Sequence, residues 1–253
     1  MLNEVLNLNI FGFFLIFARV GTAFILLPGF SAIYVSPRLR LLFALAVSFV
    51  LLPVLGPTLP GLPESPAELG LILVAEIAIG AFLGVIASLL VAALQVAGTV
   101  IALIASMSNA FIQDPLAEQQ SAVVAGFLTS IGIILIFVTD LHHLMFYAVA
   151  SSYTLFVPGQ PLELGDMTEL LARNYADSFT LGLRMSAPIL LTGFTYYIGL
   201  GLLTRLMPQM PVFFIGLPIQ IAMSITVLMV TLSGTMLVFL DYYQQGLQAF
   251  IAP

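Results

Sequence analysis

Apolar side chains follow one another through this chain in runs long enough to cross a lipid bilayer, and the few charges lie singly within or beside those runs. From Leu69 to Ser106 the only charged residue is Glu76, and no proline interrupts the run. A bilayer core of roughly 30 Å takes about 20 predominantly apolar residues per helical span. Further apolar segments occur at Ile10–Leu27, Leu39–Leu55, Ala122–Val138, His143–Val157, Phe179–Leu206 and Val212–Leu240. These runs are too long for strands and lack the period-2 polar alternation of a membrane barrel. The expected fold class is therefore an all-α integral membrane protein, with residues 1–253 forming a single membrane-embedded domain. The opening residues Met1 to Asn9 hold Glu4 and no basic side chain, so they lack the positive region of a cleavable secretion signal, and the first segment is expected to be retained.

Composition narrows the function classes. Hydrophobic residues make up 61% and charged residues 7% of the chain, so partners are to be sought in the membrane, among lipid and other helices. The net charge is −6, with six arginines and no lysine, which excludes the basic face that nucleic-acid binding requires. Without cysteine there is no disulfide, thiolate metal site or thiol nucleophile. No Gly-x-x-x-x-Gly-Lys phosphate loop is present, so energy for any transport must come from elsewhere. Only Arg38, Arg40 and Arg173 are clear loop cations, too few for a positive-inside orientation. Such a chain suits an environment of other subunits.

Prolines punctuate the map. Pro53, Pro57, Pro60, Pro63 and Pro66 read as one loop, and Pro158 and Pro161 open a second. The stretch Glu163–Asp177 is the most polar, with Leu164, Met167, Leu170 and Leu171 at helical spacing, and reads as a short amphipathic helix outside the hydrocarbon. The run Leu69–Ser106 fits either one long bent helix or a hairpin turning near Gly98. Gly80, Gly84 and Ser88 fall four apart, a pattern that admits a neighbouring backbone.

Isolated intramembrane charges need partners, because each costs about 2.5–3.5 kcal/mol at a helix centre. Arg19, Glu76, Arg184 and Arg205 are the candidates, and Glu76 is expected to pair with Arg19 or Arg184. An assembly or buried-charge contact is favoured over a proton relay, which needs more titratable groups in series. Asp140, His142 and His143 form the histidine cluster. Adjacent histidines on a helix diverge by about 100°, whereas zinc pairs sit four apart, so Asp140 is expected to cap a helix N-terminus and no metal site is assigned. Ser106, Ser108, Ser121 and Ser130 sit in no nucleophile-elbow context, and no catalytic or cofactor-binding residue is assigned.

The segment Ala105–Val123, ASMSNAFIQDPLAEQQSAV, interrupts two apolar runs with Ser106, Ser108, Asn109, Gln113, Asp114 and Pro115 while keeping Met107, Phe111 and Ile112. Irregular backbone at membrane depth needs surrounding protein or a water-filled cavity. Two readings stay open on the residues alone: a yielding apolar constriction, or an exposed loop.

The stretch Gly201–Ile221, GLLTRLMPQMPVFFIGLPIQI, resembles the signature of the FliR family of flagellar type III export-gate membrane proteins. The resemblance rests on Arg205, Pro208, Gln209, Phe213, Ile215, Gly216 and Pro218. In the expected order come Arg19, Pro28, Pro37, Arg38, Arg40, Gly80, Gly84, the loop from Met107 to Asp114–Pro115, His142–His143 with Ser152 and Tyr153, and Pro188. The chain departs from the family at Thr204 and Pro211, where asparagine is usual, at Ser108, where glycine is usual, and near Gln220, where a lysine is common.

The resemblance implies a non-enzymatic subunit of the gate that passes unfolded flagellar substrates across the bacterial inner membrane at the flagellar basal body. It implies helical hairpins, a FliP-like N-terminal part and a FliQ-like C-terminal part that join FliP- and FliQ-like subunits in a closed helical export gate displaced toward the periplasm. FlhB- and FlhA-like export components are implied as further partners, and no cofactor. The family's central plug falls on Met107, Ser108, Asn109, Ala110, Phe111 and Ile112. Assembly or buried-charge contacts fall on Arg19, Glu76, Arg184, Arg205, Pro208 and Gln209. The alternatives are an injectisome gate subunit, a secondary transporter and, more remotely, an intramembrane hydrolase.

Overall fold

The computed structural model describes residues 2–32, 34–63, 65–106, 119–209 and 212–251, and these form seven α-helices with no strand among them. The helices are α1 (Leu2–Leu26), α2 (Pro37–Leu55), α3 (Pro66–Ile104), α4 (Gln119–Val138), α5 (His142–Leu155), α6 (Leu164–Leu206) and α7 (Val212–Gln248). A single 3₁₀ turn, Gly56–Thr58, follows α2. By length and composition, four stretches suffice to cross a membrane: Pro37–Thr58, Pro66–Ile104, Leu164–Leu206 and Gly216–Gln248. The pair Val123–Val138 and His142–Leu155, bent by 74°, is a fifth candidate. The chain is an all-α integral membrane protein.

Two compact units divide the chain, and their borders fall inside helices. The first comprises Met1–Leu90, Ile136–Asn174 and Tyr243–Pro253; the second comprises Val91–Leu135 and Tyr175–Tyr242. In the first unit, α1 buries Phe11, Leu15, Ile16, Val20, Ala23 and Phe24, one stripe at helical spacing, and Leu27 just past its end is buried with them. Opposite it α3 buries Ile79, Phe82, Leu83, Ile86 and Leu90. The small residues of α3 set how closely the two helices approach. A methyl added at Gly80 would lie 2.2 Å from the Arg19 carbonyl oxygen, and Ser88 Oγ donates to the Leu26 carbonyl at 2.6 Å. In the second unit Leu94, Ala97 and Ile101 of α3, Leu128 of α4, Ile189 of α6 and Phe239 of α7 are buried.

Several sequence expectations change here. The run through Gly98 is one 39-residue helix, so the hairpin alternative fails. Gly98 instead takes α4 against its backbone, since a methyl there would sit 2.3 Å from Ala125 Cα. Pro53 lies inside α2 and Pro66 begins α3, so only the prolines between them occupy the loop. Proline at the first helical position loses no hydrogen bond, because that N–H has no partner within the helix. Glu163–Asp177 is not a separate helix but the beginning of α6. Neither proline nor glycine separates Asp177 from Phe179, and Ser178 is buried with its hydroxyl 2.9 Å from that of Tyr242.

Leucines 39, 41 and 42 with Phe49 and Val50 of α2, Leu191, Phe194 and Ile198 of α6, and Met229, Val230 and Leu237 of α7 are exposed. Faces of this kind match lipid or other apolar helices rather than water. We predict that Gly98→Ala destabilises the fold by about 1–3 kcal/mol through overpacking against a backbone that has no flexible end to move. Gly199→Ala, with nothing within 4 Å of the added methyl, is expected to be neutral or to stabilise by up to about 1 kcal/mol. Thermal unfolding of the detergent-solubilised variants, followed by helical circular dichroism, checks both.

Candidate functional site

In the first unit the stripe of α1 turns Arg19 inward with its apolar neighbours, and the guanidinium is 0% exposed. Glu76 stands one turn before Gly80 on α3, where the close helix approach brings it into reach. Arg19 Nε donates to Glu76 Oε2 at 2.7 Å and Nη2 donates to Oε1 at 3.0 Å, a two-point contact whose acidic partner is 1% exposed. Nη1 donates to Ser152 Oγ at 3.0 Å, and Nη2 also donates to the Phe156 carbonyl at 3.0 Å. Phe156 follows the last turn of α5, so the cation also faces the partially negative end of that helix. The Tyr153 ring lies under the guanidinium carbon at 3.9 Å, a cation–π contact.

Removing two charges from water costs several kcal/mol per ion, and Coulomb attraction offsets this only with good geometry and further hydrogen bonds. Both are present: four donor contacts and an aromatic face. The arrangement locks α1, α3 and α5 in one register. Between Arg19 and Arg184, the two partners considered for Glu76 from sequence, the structure places Arg19 there. Arg184 belongs to the second unit and is exposed on α6, beside a groove of about 460 Å³ that includes Pro188, Thr231, Gly234 and Thr235. Arg205, Pro208 and Gln209 are also exposed, at the end of α6 and in the break before α7.

The signature segment works in the second unit through Gln220, which the sequence marks only as a departure from the lysine common in the family. Gln220 is 2% exposed; its Nε2 donates to the Ile104 carbonyl, at the end of α3, and to the Tyr197 hydroxyl at 2.8 Å. The Tyr197 and Ser106 hydroxyls lie 3.3 Å apart, and Tyr196 donates to the Gly216 carbonyl. Ser106 adopts φ 57°, so the chain leaves α3 through a left-handed turn. The available signal was a lone amide in the apolar run of α7, since a buried amide must find partners. In sequence, Ser152 and Tyr153 stand out only by their order along the chain. The plug positions Met107, Ser108, Asn109, Ala110, Phe111 and Ile112 lie outside the described residues.

At the α4–α5 corner the expected cap is absent. Asp140 sits at φ 60° before the helix, and Leu141, which occupies the cap position, makes no side-chain capping bond. The Asp140 main-chain carbonyl accepts from His143 N at 3.0 Å, leaving its carboxylate outside the helix hydrogen bonding. Helix closure by a carbonyl in a left-handed turn replaces the side-chain cap.

Residues 10–246 match the sequence profile of the family described as bacterial export proteins, family 1. The chain is 33% identical to a flagellar biosynthetic protein FliR of Caulobacter vibrioides, over 93% of this chain and 94% of that protein. It is 30% identical to a FliR of Escherichia coli strain K12 over 88% and 83% of the two chains. A FliR of Bacillus subtilis is 28% identical over 87% of this chain and 86% of its own.

Glu76→Leu and Arg19→Met are each expected to cost about 3–5 kcal/mol, because each strands a buried charge. The Arg19→Met/Glu76→Leu double variant should lose less than either single change. A double-mutant cycle on thermal unfolding measures the difference, and simple additivity of the two losses would remove the pair from its central place.

Proposed function

Because the chain belongs to family 1 of the bacterial export proteins, the family of the FliR proteins, we propose that it serves as a membrane subunit of the flagellar protein-export gate. The observation that carries this reading is the family match along residues 10–246, which contains the ordered signature Arg205, Pro208–Gln209, Phe213, Ile215–Gly216 and Pro218. The subunit sits in the bacterial inner membrane at the flagellar basal body. There its FliP-like N-terminal and FliQ-like C-terminal parts close a helical assembly with FliP- and FliQ-like subunits, displaced toward the periplasm. FlhB- and FlhA-like components complete the apparatus, and unfolded flagellar proteins pass through it. The subunit is not an enzyme; it forms a passage and alters no bond of its cargo.

Mechanistically, the passage is closed by the segment after α3, where Met107, Phe111 and Ile112 supply an apolar constriction that yields to a polypeptide. Support comes from the polar ties of Gln220, Tyr197 and Ser106, which hold the backbone just before this segment to α6 and α7. Exposed apolar faces on α2, α6 and α7 give neighbouring subunits and lipid their contact surface. Arg184, exposed within an apolar span, calls for an acidic group or water from its surroundings.

Replacing Phe111 and Ile112 by glycine is expected to leave the assembled complex intact and make the membrane permeable to ions. Unchanged conductance in cells holding the assembled variant would falsify the plug. Arg184→Leu should leave the unfolding of the isolated chain within about 0.5 kcal/mol, as for an ordinary exposed position, while lowering recovery of co-produced FliP- and FliQ-like partners. Equal recovery of partners would remove Arg184 from the assembly contacts.

A further inference from the structure

We propose that the corner between α4 and α5 binds a divalent transition-metal ion of the zinc class, with Asp140, His142 and His143 as its protein ligands. Neighbouring histidines within a helix point about 100° apart, but this pair occupies the first turn of α5. The two rings are 4.2 Å apart, tilted by 35°, and donor atoms of all three side chains lie within 4.8 Å of one another. The proposal stands on these residues and is independent of the export function.

Three features make the corner more than a chance grouping. First, the carboxylate of Asp140 has no capping duty, since the main-chain carbonyl closes the helix, and its Oδ1 lies 3.8 Å from His143 Nδ1; that nitrogen is 3.2 Å from the Asp140 carbonyl oxygen, so His143 offers the ion Nε2 or turns away from the carbonyl to ligate through Nδ1. Second, His142 is already oriented. Its ring stacks on Phe137 at 5.0 Å and meets Phe146 edge-on at 6.3 Å. Third, His142 Nδ1 is screened from solvent and has no hydrogen-bond partner among the described residues. A ring nitrogen in that condition carries an unrelieved desolvation cost.

Tetrahedral zinc with bonds of about 2.0–2.2 Å holds its donors roughly 3.3 Å apart. Closing the remaining gap requires rotation only of Asp140 and His143, whose side chains are 77% and 58% exposed, about the fixed ring of His142. Two imidazoles and a carboxylate form a zinc-type donor set that leaves a coordination position for water. The N-terminal dipole of α5 opposes a cation, but the Asp140 charge and the terminal carbonyls of α4 act against it. From Ile134 to Ala148 the sequence carries no other formal charge to compete for the carboxylate. A bound ion would tie Asp140 in the turn to the first residues of α5 and brace the 74° bend.

Tag-free full chain in lipid nanodiscs, stripped of metal by a chelator, is titrated with Co²⁺ and back-titrated with Zn²⁺. The expected result is a stoichiometric visible absorption that Zn²⁺ displaces, together with a metal-dependent rise in melting temperature. His142→Phe keeps the aromatic stack and removes the donor, and His143→Gln changes an exposed side chain; each should abolish the absorption. Asp140→Asn should weaken binding by about tenfold or more. Circular dichroism without metal verifies folding, and if His142→Phe loses helicity the exposed His143→Gln and Asp140→Asn variants decide the matter. No absorption at equimolar Co²⁺, or absorption that survives in His143→Gln with Asp140→Asn, overturns the site.

Discussion

The ion pair between Arg19 and Glu76 is the constraint around which the first unit is organised. A guanidinium and a carboxylate removed from water tolerate little displacement, because each lost contact leaves a charge in a medium that solvates it poorly. Arg19 therefore ties α1 to α3 through Glu76 and to α5 through Ser152 and Phe156. The geometry depends in turn on Gly80, where the Arg19 backbone would collide with any larger residue. Charge, small residue and helix end form one arrangement: widen the α1–α3 approach, and the carboxylate no longer meets both guanidinium nitrogens.

The second unit reaches specificity with neutral groups. Its apolar surfaces alone would let long helices slide, since Leu and Val pack acceptably in several registers. Gln220 removes that freedom by meeting both the last α3 carbonyl and Tyr197, while Gly98 and Ala125 bring α3 and α4 to backbone distance. A subunit of a membrane gate has to expose apolar faces to its neighbours and still hold its own helices in place. Buried polar contacts accomplish the second task without consuming the apolar area needed for the first.

Helix existence was plain from the apolar runs, but continuity was not. The polar composition of Glu163–Asp177 read as a separate element, yet α6 continues through it because the backbone meets no breaker and Ser178 finds a partner in Tyr242. Proline misled in the opposite direction: Pro53 near the end of α2 and Pro66 at the start of α3 both sit within helices. Asp140 looked like a cap by residue type, whereas its left-handed backbone closes the helix with a carbonyl instead. The need for a partner at Arg19 and Glu76 was legible from cost alone. The amide of Gln220 obeys the same rule, but in sequence it stands out only as the place where a common lysine is missing.

Membrane residence, the all-helical class and family membership were determined by the sequence itself, because hydrophobic length, missing charge and an ordered signature are properties of the chain in one dimension. Tertiary structure alone decided which arginine Glu76 meets, which carbonyl Gln220 reaches, and that the rings of His142 and His143 turn to within 4.2 Å of one another. Those outcomes depend on distances between atoms far apart along the chain, or on a single backbone angle, and spacing in sequence specifies neither.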